Sequence, residues 1–92
     1  MLEVMLDHVT TPTNGEPVDT TFRQLTRDEI MIQVDISGTA AVSIKGRISG
    51  DMPWLELFSA TTSGLYPVAR LPWLRADATG VSTGDVTVMC HG

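Results

Sequence analysis

One cysteine, Cys90, stands in 92 residues, so no disulfide can form within the chain. Small secreted domains often use disulfides to compensate for a small core, and their absence here fits assembly in a reducing cytoplasm. Cations are also scarce, with six Lys and Arg against eleven Asp and Glu and a formal charge of −5. The six are scattered as Arg23, Arg27, Lys45, Arg47, Arg70 and Arg75, and the chain lacks the basic footprint of a nucleic-acid binder. No stretch approaches the roughly 20 apolar residues of a membrane span. The start, Met1 to Asp7, carries acids where a signal peptide has basic residues. Neither a nucleic acid nor a membrane is therefore expected as a partner. Helical periodicity is missing as well: no ten residues show apolar spacing of three and four.

Catalytic patterns are equally sparse. Gly-x-Ser-x-Gly does not occur, and no Gly-rich phosphate loop precedes a helix. Cys90 and His91 are adjacent, so on a strand they point to opposite faces and make a poor nucleophile–base pair. A metal site from Asp7, His8, Cys90 and His91 would need both ends of the chain to meet, since structural zinc takes about four ligands. Asp77 and Asp85 read as ordinary surface acids. No cofactor, metal or catalytic residue is expected.

What the chain does contain is period-two alternation. Ile30, Ile32, Val34 and Ile36 alternate with polar residues, and Ala40, Val42, Ile44 and Ile48 continue after Ser37-Gly38. Period two puts one apolar row on one face of each strand. Ser-Gly between the runs predicts a tight hairpin whose glycine takes a positive φ. Further strands are predicted at Leu2 to Val9, Trp54 to Phe58, Leu65 to Leu71, Trp73 to Thr79 and Asp85 to Cys90. Pro67 marks an edge strand. Residues 18 to 26, with Phe22 and Leu25 as anchors, are ambiguous, and Gly80 to Gly84 reads as a loop. Pro12, Asn14-Gly15 and Pro17 make 10–18 a flexible loop.

The expectation is one all-β domain over 1–92. It is an antiparallel β-sandwich or jelly-roll-like barrel of six to eight short strands with no substantial helix. Its core should hold Ile32, Val34, Ile36, Val42, Ile44, Leu57, Leu74, Ala76, Val86 and Val88. Trp54 and Trp73 follow Pro53 and Pro72 at strand starts. They cap the core, anchor a protein partner or form a stacking platform for a sugar. With Pro53, Pro72, Phe22, Thr13 and Asn14 they are the candidate interface residues.

The run Val34 to Ile48, the Gly50-Asp51 turn, Trp54, Leu74 to Gly80 and Gly84 to Val88 together resemble small virion structural proteins of tailed bacteriophages. Gly38, Gly46 and Trp54 are the most distinctive matches. The resemblance covers about two thirds of the chain, and the segment up to Asp28 matches in style alone. It implies a non-enzymatic capsid cement or decoration protein, assembled in the host bacterial cytoplasm and residing in the virion. It also implies the major capsid protein or another virion protein as partner, and self-association, with trimers at local three-fold positions. A neck or tail protein, or an adhesin-like carbohydrate-binding sandwich, is the alternative.

Overall fold

The computed structural model describes residues 2–20 and 29–92. Among these, nine strands follow in order: β1 (Leu2–Val9), β2 (Thr13–Asn14), β3 (Val18–Asp19), β4 (Glu29–Ile36), β5 (Thr39–Arg47), β6 (Leu55–Ala60), β7 (Gly64–Ala69), β8 (Trp73–Thr83) and β9 (Val86–His91). Seven have six or more residues; β2 and β3 have two each. All pairings are antiparallel. Sheet A runs β1-β9-β4-β7, and sheet B runs β2-β8-β5-β6, with β3 also paired to β8. No helix occurs among the described residues, and the molecule is a β-sandwich.

The inner faces supply the core. Ile30, Ile32, Val34, Val86, Val88 and Cys90 come from sheet A, and Val42, Ile44, Leu74, Ala76 and Ala78 from sheet B, all nearly inaccessible to solvent. Of the ten residues expected inside, eight are buried; Ile36 is half-buried and Leu57 is exposed. The reason for Leu57 is a bulge. Ile44 faces Phe58 while Lys45 faces Glu56, which leaves Leu57 as the extra residue. Phe58 takes the inward place and stacks on Tyr66, ring centroids 4.8 Å apart. A second irregularity, between Val4 and Leu6, buries Met5 and Leu6 in succession and turns Leu2 and Val4 outward.

The link at Ser37-Gly38 is not a hairpin. β4 lies in sheet A and β5 in sheet B, so the chain arches from one layer to the other. A second arch, Gly84-Asp85, takes β8 in sheet B to β9 in sheet A. The two arches are laced together. Ser37 N–H donates to the Asp85 carbonyl at 3.1 Å. The Ser37 hydroxyl donates to the Asp85 carboxylate and accepts from the Asp85 N–H, each at 2.8 Å. Thr39 N–H donates to the Thr83 hydroxyl at 3.0 Å.

Gly84 carries the positive φ, 74°. Gly38 answers a different demand, closeness: a Cβ there would lie 2.2 Å from the Thr83 carbonyl oxygen. Gly38→Ala should therefore cost about 1–3 kcal/mol, the usual range for forcing an extra group into packed structure. Urea titration checks this, and a wild-type midpoint would show that the arches can separate freely.

Residues 10–18, read as a flexible loop, are tied to sheet B. Thr13 and Asn14 pair with Ala78 and Asp77, Gly15 N–H donates to the Ala76 carbonyl at 2.8 Å, and Val18 pairs with Leu74. Gly80 to Thr83, read as loop, extends β8 past two irregularities. Pro67 does stand on an edge strand, β7.

Candidate functional site

The outer face of sheet B gathers a cluster of charged side chains. Along β5 the outward residues are Ser43, Lys45 and Arg47; along β8 they are Trp73, Arg75 and Asp77. Register sets Ser43 beside Asp77, Lys45 beside Arg75 and Arg47 beside Trp73. Asp77 is only 1% exposed. Burying a carboxylate is costly unless it is paired and hydrogen-bonded. Here Lys45 Nζ stands 3.0 Å and Arg75 Nη2 2.9 Å from Asp77 Oδ2, and Gly15 N–H donates to Oδ1 at 3.3 Å. Beside them the Ser43 hydroxyl donates to the Glu56 carboxylate at 2.7 Å.

The tryptophans complete this face. The Arg47 guanidinium lies 4.0 Å from the Trp54 ring centre and 5.6 Å from that of Trp73. Arg75 also stands over Trp54, at 4.9 Å. A cation over an indole face is attracted by the ring quadrupole. Both tryptophans are half-buried. The rings shield the cations, and the buried Nε atoms of Arg47 and Arg75 have no hydrogen-bond partner. Trp54→Ala should remove two cation–π contacts and cost about 1–2 kcal/mol, to be read from a melt. No change in melting would show that the ring contributes nothing to the fold.

The remaining candidates divide. Asn14 joins this face opposite Asp77, while the Thr13 hydroxyl turns back to the Thr11 carbonyl at 2.8 Å. Pro53 is exposed before Trp54. Pro72 is half-buried, and its carbonyl accepts from Thr20 N–H at 2.9 Å. Phe22 lies outside the described residues. Sequence reasoning marked the tryptophans but missed Lys45, Arg47, Arg75 and Asp77. The available signal was three polar residues at alternate positions of a strand rich in small and apolar residues.

The two ends of the chain do meet, with Leu2 opposite His91. Because β1 and β9 are antiparallel, His8 falls beside Thr87, at the far end from His91, and Cys90 points into the core. Among the described residues no group of three or more His, Cys, Asp or Glu is placed to hold a metal ion. His8 Nδ1 lies 2.6 Å from Asp7 Oδ1, and that hydrogen bond and charge raise the imidazole above its ordinary value of 6.5. An open cleft of about 340 Å³ between β6 and β7 is lined by Leu57, Phe58, Tyr66, Pro67, Val68 and Ala69. It has no carboxylate, imidazole or thiol in its lining.

Among the described residues, the large exposed apolar side chains fall in two regions. Leu2, Val4, Met31 and Leu65 lie on the outer face of sheet A. Ile48, Met52, Leu55 and Leu57 lie on β6 and the turn before it.

These features define an all-β sandwich in which two laced arches carry the chain between layers and whose charged face is internally paired. Neither a family model nor a curated protein matches the chain. Among solved structures its fold is similar to the crystal structure of the SPBc2 prophage-derived protein YomS, with a TM-score of 0.77 and 16% sequence identity. The match covers 98% of this chain and 88% of that one. At that identity the likeness concerns the fold.

Proposed function

We propose that this chain is a non-enzymatic structural protein of a tailed-phage virion that cements the outer surface of the capsid lattice. The observation that carries the reading is the exposed apolar surface in two regions of the described residues, on sheet A and around β6. A monomer rarely leaves large apolar patches exposed unless they meet something. Two such regions on one small body suit a bridge between neighbouring shell subunits, where a weak contact per copy accumulates by avidity. The similarity in fold to a prophage-derived protein over nearly the whole chain supports the phage origin. The net charge of −5 also discourages adhesion to packaged genome.

The test mixes purified protein with capsids lacking it, pellets the capsids and measures occupancy and disruption temperature. Saturable occupancy with a raised disruption temperature is expected. Absence of binding to capsids, together with binding to tail structures or host polysaccharide, would overturn the cement role.

A further inference from the structure

We propose that the outer face of sheet A is the surface that docks on the shell, and that it meets a protein surface with an apolar centre flanked by Lys or Arg. The inference rests on the capsid-binding reading and names the contact within it. Two rows cross the sheet from edge to edge. Register aligns Val4, Met89, Gln33 and Leu65 in one, and Leu2, His91, Met31 and Pro67 in the next. Val4 is 51% exposed and Leu65 64%. An interface core is typically apolar, with charge confined to its rim.

Among the described residues, acids flank these rows, most densely at the Asp35 end. Asp35 follows the first row on β4 and faces Thr87, while Glu29 follows the second. Asp7, 76% exposed, stands beside His8, whose N–H donates to the Thr87 hydroxyl. Asp85 is also close enough to act on His8. Of the four cations among the described residues, Lys45, Arg47 and Arg75 sit on the opposite face among Asp77 and the tryptophans, and Arg70 follows β7 at the Glu29 end of this one. A second copy of this face would bring acids against acids, which disfavours self-pairing and selects a basic partner.

The strand edges do not compete as docking sites. Two register shifts interrupt β1, Pro67 interrupts β7, a bulge interrupts β6, and β2 and β3 have two residues each. Bulges, prolines and short strands all blunt an edge against strand addition. On sheet A the face, rather than an edge, is what remains open.

Val4→Lys and Leu65→Lys, on opposite edge strands, test the face, and Asp35→Lys tests the rim. Thr61→Lys, in the exposed turn after β6, is the control. Each variant is first melted, and because the replaced side chains are exposed the wild-type transition should persist. If one lysine variant melts early, the other carries the test. Occupancy on capsids lacking the protein should fall at least tenfold for Val4→Lys and Leu65→Lys and stay unchanged for Thr61→Lys. Asp35→Lys should lower occupancy and flatten its dependence on salt. Wild-type occupancy by both face variants would overturn this contact and leave the capsid reading standing. No binding by the wild type would overturn that reading and this one with it. A dimer in sedimentation that the face variants dissolve would give the face to a second copy and overturn the basic-partner proposal.

Discussion

Asp77→Ala should lower stability by about 3 kcal/mol, toward the low end of the range for removing one member of a buried ion pair. The carboxylate holds Lys45, Arg75 and the Gly15 N–H together. Its loss takes from Lys45 and from Arg75, which lies over Trp54, the carboxylate they share. The effect is kept from being larger because the Lys45 and Arg75 side chains retain 28% and 19% of their exposure and can reach water. In a domain of this size 1 kcal/mol shifts the melting temperature by roughly 4–8 °C, so a drop of more than about 10 °C is expected. Asp77→Asn separates the charge from the hydrogen bond: it keeps an acceptor for Gly15 and should fall between the two. Thermal melts of all three proteins decide. An Asp77→Ala melt equal to wild type would mean that Lys45 and Arg75 find water at no cost.

Ile44→Ala acts on the opposite face of the same sheet. Ile44 is fully buried on β5, with Ala76 on one side and Phe58 on the other. Truncating a buried Ile costs about 2–5 kcal/mol, part for lost transfer and part for the cavity left behind. The neighbours across β8 are alanines, too small to fill the space, which argues for the upper half of that range. A domain of under 100 residues has a narrow stability margin, so the variant should be largely unfolded at 37 °C. Circular dichroism against temperature and denaturant checks it. A melt matching wild type would show that Ile44 does not face the core.

Period two made most of the strands and the inward rows legible. It could not say whether successive strands pair or oppose. The rows of β4 and β5 read the same in a hairpin and in an arch, and what separates the two is the meeting of Ser37 with Asp85, 48 residues away. Bulges defeat the same pattern locally. One extra residue at Leu57 sent Phe58 inward, and a shift after Val4 buried two neighbours in turn. The charged face was hidden for a third reason. Trp54 and Trp73 stood out by rarity, but each acquires its role from Arg47, which register alone brings to Trp73. Asp77 looked like any surface acid because its three partners come from β5, β8 and the stretch next to β2.

The position of β9 in sheet A has a consequence for synthesis. β1 is made first, yet its ladder partner is β9, and β4 leans on β9 from the other side. Until residues 86 to 91 have left the ribosome, β1 and the inner edge of β4 have nothing to bond to. The early strands must wait with apolar side chains uncovered, and loop closure over most of the chain has to come before the contacts that reward it. Folding should therefore follow the release of β9 in one late, cooperative event. A nascent chain halted before Val86 should be digested by protease as an unfolded polypeptide, whereas one extended far enough to free His91 should resist.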